Sequence, residues 1–214
     1  MADIFNILII GLNNCELTLI GTILRDFAKI SPLIKKVVDN IDEINSNSRA
    51  IKYIGIRYLI DNRIYSFEQN YSKEDLISPL IPIKDAHLII GLDPLATYKS
   101  RNYISEKTVV IMNVNQNLKR NSINNIDELK NQPSIGEIID VLDQLARRTI
   151  SMNFTDLAQL QFNNTIFSNY IILGIIVKEF MGIFNRKKIV ELISQTNKLG
   201  TDSIKAFELG YNLI

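Results

Sequence analysis

The chain is poor in the side chains from which most metal and nucleophile chemistry is built. Its 214 residues hold one cysteine, Cys15, one histidine, His87, and no tryptophan. One cysteine excludes an internal disulfide, and one cysteine with one histidine excludes most zinc sites. A Ser-His-Asp triad has only His87 to be built around. Charge of one sign is missing too. Lys+Arg 24 against Asp+Glu 23 leaves a formal net charge of +1, whereas a general nucleic-acid binder needs a surplus of phosphate-neutralising cations. The basic runs Arg147-Arg148 and Arg186-Lys187-Lys188 read as solvated helix ends, where cations complement the dipole. No uninterrupted run of membrane-spanning kind is found. The most apolar stretch, 166–184, carries Lys178 and Glu179 in its middle and reads as a buried helix. The opening Met1-Ala-Asp-Ile lacks the basic region and apolar core of a secretory signal, so the expected location is cytoplasmic.

What is present is a regular alternation. Residues 5–10, FNILII closed by Gly11, form a short isoleucine-rich run, the mark of a buried parallel strand feeding a turn. Leu17, Ile20, Ile23, Leu24 and Phe27 then recur at helical spacing. Residues 35–39 and 51–58 read as further strands, and 63–67 as a continuation of the latter into a hairpin. The middle repeats the theme. Residues 86–92 are a buried strand, Asp93-Pro94 is a helix start with Asp as N-cap, and 108–113 is the next strand. Ser134-Ile-Gly-Glu137 is a capping box ahead of a stripe formed by Ile135, Ile138, Ile139, Leu142, Leu145 and Ala146. After Ser151 the pattern is helical to the end, with starts near Thr155, Thr165, Arg186 and Thr201. Residues 115–132, polar and rich in Asn, read as an exposed loop. The implied fold is an α/β, Rossmann-like three-layer domain with a mostly parallel sheet. One domain spans 1–214, with an α/β core over 1–150 and a helical C-terminal part over 151–214 packed on it.

The order of these segments resembles the gamma-type domain of the 2-oxoacid:ferredoxin oxidoreductases, and within them the small (beta) subunits of indolepyruvate ferredoxin oxidoreductases. Phe5-Asn-Ile-Leu-Ile-Ile-Gly11 resembles the family's opening strand. Ser78-Pro-Leu-Ile-Pro82 and Ala86-His-Leu-Ile-Ile-Gly-Leu-Asp-Pro-Leu-Ala96 resemble its "PLIP … ADVLLALEPLEA" region, and Val109-Val-Ile-Met-Asn113 its strand ending in Asn. Pro133-Ser-Ile-Gly-Glu-Ile138, Phe154-Thr-Asp-Leu-Ala158, Asn169-Tyr-Ile-Ile-Leu-Gly174 and Ala206-Phe-Glu-Leu-Gly210 match later elements. The resemblance implies a complex that decarboxylates a 2-oxoacid to an acyl-CoA and passes the electrons to ferredoxin. Its thiamine diphosphate, Mg, iron–sulfur clusters and CoA are expected in a larger thiamine-dependent partner subunit or the holoenzyme. This chain is expected to bind none of them, to supply no catalytic residue and no metal ligand, and to self-associate when isolated. Neither nucleic acid nor membrane is an expected partner.

Two departures bear on function. The family's first loop reads G-x-G-G-Q-G, and here it is Gly11-Leu-Asn-Asn-Cys-Glu16. Asn13, Asn14 and Glu16 add side chains where backbone would approach a phosphate, and Glu16 sets a carboxylate against the anion. Glu16 reads equally as a helix-capping acid. The family's "H-G-M-S-Q-R-G-G" segment corresponds to Ile44-Asn-Ser-Asn-Ser-Arg-Ala50. Arg49 survives there, as a contact to a ligand or partner acid or as an exposed loop arginine. Cys15 stands at a helix start that lowers thiol pKa, but without a second cysteine or a basic neighbour it reads as unreactive. His87 reads as a strand-end core residue. A stand-alone paralogue that has lost the enzyme context and acts as a binding or regulatory module is the alternative.

Overall fold

The computed structural model describes residues 2–12, 16–41, 51–61, 76, 78–115, 132–196 and 200–214. Six strands and seven α-helices follow one another among them. β1 (Ala2–Leu12), α1 (Leu17–Ile30), β2 (Ile34–Asp39) and β3 (Ile51–Asp61) come first. β4 (Leu88–Gly91), α2 (Pro94–Lys99), a 3-10 turn (Arg101–Tyr103) and β5 (Val109–Asn113) follow. α3 (Ile135–Leu145), β6 (Arg148–Met152), α4 (Phe154–Phe162), α5 (Phe167–Glu179), α6 (Arg186–Thr196) and α7 (Asp202–Tyr211) complete the fold.

The strands form one sheet in the order β2-β3-β1-β4-β5-β6. β1 pairs parallel with β4, β4 with β5, and β5 with β6. β3 lies antiparallel between β1 and β2. It therefore runs against the other five strands, and the sheet is mostly parallel as the alternation of elements predicts. The hairpin expected over 63–67 lies outside the described residues.

Alternation along β1 explains the three layers. Phe5, Ile7 and Ile9 join one core with α1 and α4–α7. Leu8 and Ile10 point the other way, into a second core with Ala96 of α2 and Ile138 and Leu142 of α3. A strand buried on both faces has no solvent side, so residues 7–10 of β1 form a continuous apolar run, while the buried Asp3 and Asn6 precede it. Each such side chain contributes roughly 1.5–3 kcal/mol by leaving water. Tyr58 is fully enclosed, and its hydroxyl donates to Leu24 O at 2.8 Å; burial holds its pKa well above the ordinary tyrosine value.

Two expectations need correction. Residues 148–152 form a sixth strand, so the expected boundary at 150 falls inside the sheet. The stripe on α3 is narrower than its pattern: Ile138 and Leu142 are buried but Leu145 is 42% exposed. An edge strand gives the end of that helix little to pack on.

The helical part lies directly on the sheet. Every residue of α5 from Phe167 to Val177 is buried, and such a helix is apolar all round because it is wrapped on all sides. It crosses α7 at Gly174 and Gly210. A Cβ on Gly174 would lie 2.1 Å from Phe207 O, and one on Gly210 would lie 1.9 Å from Ile171 O. Among the described residues no single helix is long and apolar enough to cross a membrane; α4 and α5 qualify only as a pair bent by 115°.

Candidate functional site

Open α/β sheets bind ligands beyond the carboxyl ends of their strands, where the strand order reverses. Here the chain leaves β1 toward β2 but leaves β4 toward β5, so the reversal falls between β1 and β4. Leu92 N–H donates to Ile10 O at 2.8 Å and ties the two strand ends together. Helices α1, α2, α3 and α4 all begin on this edge. A helix start presents unpaired N–H groups and about half a positive charge, which makes it an anion site when open.

Each of these four starts meets one of the chain's own acids. Glu16 stands at the N-cap of α1 without a side-chain capping bond. Of the two roles its position suggests, capping by the side chain is therefore absent. With Thr18, Leu19, Thr22, Ile23 and Tyr170 it lines a groove of about 330 Å³. Burial raises the Tyr170 pKa; the Ser203 hydroxyl opposes this, and the Glu16 carboxylate adds a smaller rise. At α2, Asp93 is buried and accepts from Ala96 N at 2.8 Å. The turn behind it is tight: a Cβ on Gly91 would lie 1.8 Å from Thr97 Oγ1, which itself donates to Asp93 O at 2.6 Å.

At α3 the capping box is formed as its sequence predicts. Glu137 N donates to Ser134 Oγ at 3.2 Å and Ser134 N to Glu137 Oε2 at 2.7 Å. Those Ser134 bonds hold the Glu137 carboxyl below its ordinary pKa. At α4, Asp156 N donates to Asn153 Oδ1 at 3.1 Å, and Asn153 Nδ2 to Asp156 Oδ2 at 2.6 Å. Asn113, at the end of β5, accepts from Phe154 N at 3.0 Å and donates to Thr155 Oγ1 at 2.8 Å. Sequence reasoning missed this bridge and the groove that Tyr170 and Glu16 line together, since both join residues distant in the chain.

Among the sequence candidates, Gly11 is buried within β1 opposite Lys52 rather than in a turn. Asn13, Asn14, Cys15 and Arg49 lie outside the described residues. The ends flanking Arg49's segment, after β2 and before β3, are on this same edge, with Ile51 opposite Leu12.

His87 is on the opposite edge. Its Nδ1 accepts from Asn6 N at 3.1 Å, and its ring packs on Phe5 at 5.2 Å. Burial lowers its pKa to about 4; Lys107 lowers it further and Asp85 opposes. Asn6 Nδ2 donates to Asp85 Oδ2 at 2.8 Å, and Arg57 Nε to Asn6 Oδ1 at 2.9 Å. Asp85 also pairs with Lys107 at 2.7 Å. This network fastens the entry of β4 to β1 and β3. Among the described residues no three His, Cys, Asp or Glu side chains converge as a metal site, and one cysteine in the whole chain does not fit an iron–sulfur cluster, which takes several thiolates.

The model of the pyruvate ferredoxin/flavodoxin oxidoreductase family matches residues 63–213. The chain belongs to this family. Indolepyruvate oxidoreductase subunit IorB of Archaeoglobus fulgidus is 24% identical over 140 residues, 64% of this chain and 68% of that protein. The fold matches the keto/oxoacid ferredoxin oxidoreductase gamma subunit of Geobacter sulfurreducens with a TM-score of 0.59 and 15% identity, covering 97% of this chain and 96% of that one. Pyruvate oxidoreductase subunit PORC of Thermotoga maritima matches with a TM-score of 0.58 and 12% identity, over 98% and 93%. In 2-oxoglutarate:ferredoxin oxidoreductase from Magnetococcus marinus the same fold, at a TM-score of 0.59 and 11% identity, covers 97% of this chain but 30% of a longer one. The family fold thus occurs both as a separate chain and as part of a larger polypeptide.

Proposed function

We propose that the chain is a non-catalytic small subunit of a 2-oxoacid:ferredoxin oxidoreductase of the indolepyruvate kind, at work in the cytoplasm. The observation that carries this reading is the fold's match, from end to end, to separate gamma subunits of that family. Oxidative decarboxylation to an acyl-CoA belongs to the larger partner subunit, with its thiamine diphosphate, Mg and iron–sulfur clusters, and electrons leave to ferredoxin through that subunit. This chain contributes a rigid frame to the assembly. Its donor set supports the division as far as the clusters go, since one cysteine does not serve an iron–sulfur cluster.

The four acid-filled helix starts support a further point. Glu16, Asp93, Glu137 and Asp156 leave the carboxyl edge neutral to repulsive toward a phosphate. This supports a chain that itself holds no nucleotide. The same feature favours the second reading, a stand-alone paralogue with a binding or regulatory role. Affinity purification of the tagged chain from its native host separates the two. Copurification with a larger thiamine-containing protein is the expected result. A chain that emerges alone, monomeric and stable supports the paralogue instead. Calorimetric titration with CoA, NADH, FAD, FMN and ATP checks the edge: no binding is expected, and micromolar affinity that disappears when Asn13 or Asn14 is enlarged would prove the loop functional.

A further inference from the structure

The groove beside Glu16 runs between two helices. Thr18, Leu19, Thr22 and Ile23 line it from one face of α1, each residue of the first pair one turn before its counterpart in the second, and Tyr170 lines it from α5. Tyr170 is only 4% exposed, and its ring is set against Phe167 at 6.1 Å. Ser203, on the first turn of α7, acts on the Tyr170 phenol, yet its Oγ is wholly buried without a hydrogen-bond partner. The two hydroxyls therefore do not satisfy one another, and the phenol oxygen remains to be paired from the groove. Glu16 is exposed and makes no side-chain capping bond. It takes no part in the ion pairs found among the described residues. A carboxylate and a nearly buried phenol thus meet an apolar wall, with nothing on the chain to complement them.

We infer that this groove is a binding site for a primary ammonium on a short unbranched alkyl stem. The ammonium donates to the Glu16 carboxylate and the Tyr170 oxygen, and the stem lies along Leu19 and Ile23. Charge decides against an anion. A helix start carries only about half a positive charge, so the full charge of Glu16 leaves this spot net negative. It also decides against an alcohol of the same shape, because a hydrogen bond between two charged groups is about twice as strong as a neutral one. Size decides against a nucleotide. The groove's volume of about 330 Å³ is at the small end of ligand sites. None of these points depends on the chain being an oxidoreductase subunit, and that reading stands or falls separately.

The test titrates the intact, isotope-labelled chain with n-butylammonium chloride and follows its amide resonances, beside n-butanol and sodium butyrate at equal ionic strength. The ammonium should bind saturably in the millimolar range, with shifts centred on the first two turns of α1 and on Tyr170. Butanol and butyrate should bind at least about tenfold more weakly. Glu16→Gln changes an exposed residue without a capping bond and should weaken the ammonium about tenfold. Tyr170→Phe removes only the hydroxyl and should weaken it about threefold. N-acetyl-lysine methylamide carries the same stem on a peptide unit. If it binds more tightly than butylammonium, the ammonium comes from a lysine of another chain; if more weakly, from a free amine. Butanol bound as tightly as the ammonium, shifts centred elsewhere, no saturation, or an unchanged affinity in Glu16→Gln overturns the proposal. Should a variant fail to fold, the comparison of the three ligands on wild type still decides.

Discussion

Burial, with Lys107 nearby and against the opposing Asp85, holds the folded His87 ring neutral down to about pH 4, and protonation would break the bond its Nδ1 accepts from Asn6 N. In the unfolded chain the ring takes up its proton near the ordinary value of 6.5. Between those pH values the unfolded state binds more protons, so stability is full above 6.5 and falls as the pH drops toward 4. At about 1.4 kcal/mol per pKa unit the whole loss is on the order of 3 kcal/mol. The urea midpoint should fall more between pH 7.5 and 4.5 for wild type than for His87→Gln. An equal fall would show that the ring titrates normally. Asn113 makes a second residue-level case. Asn113→Ala strands the Phe154 N–H and the Thr155 hydroxyl and should cost about 1–3 kcal/mol in thermal unfolding, more than Ser134→Ala at an exposed cap. These residues also mark what a sequence can disclose. Asp93 and Ser134 were legible as caps because cap and helix are contiguous. Asn113 caps a helix 41 residues later, and Tyr170 faces Glu16 from across the fold; neither has a local signal.

Among the elements, the crossing of α5 over α7 is the least tolerant of change. Gly210→Ala or Gly174→Ala drives a methyl group into backbone that cannot rotate away. Each should destabilise by about 1–3 kcal/mol or more, measured as a lowered urea midpoint with an unchanged helical spectrum. A midpoint within error of wild type would mean the helices are free to part. Nearly every element was readable in advance, because buried strands and amphipathic helices leave strong periods. β6 was not: Arg148-Thr-Ile-Ser-Met152 is short, begins with a charge and lies at the edge of the sheet, so it lacks the apolar run of an inner strand. The reversed direction of β3 was equally hidden. Strand direction is settled by where the connecting segments run, and the period of side chains is the same either way.

For the molecule as a whole, the isolated chain should reduce neither ferredoxin nor a viologen when given indolepyruvate or pyruvate, thiamine diphosphate and CoA. It has no set of cysteines through which electrons would pass, and turnover by the purified chain alone would refute its standing as a subunit. Size-exclusion chromatography should find the isolated chain self-associated, since a surface built for a partner is left wet. The topology also sets a timetable. β1 precedes its neighbours β3 and β4, and the core that its Phe5, Ile7 and Ile9 share with α1 is completed by α5–α7, which follow the other described elements. During vectorial synthesis an isoleucine-rich strand therefore waits only partly covered on the ribosome until those helices have emerged. Nascent chains halted before α5 should depend on chaperones and be cut readily by protease, whereas chains that reach Tyr211 should resist it.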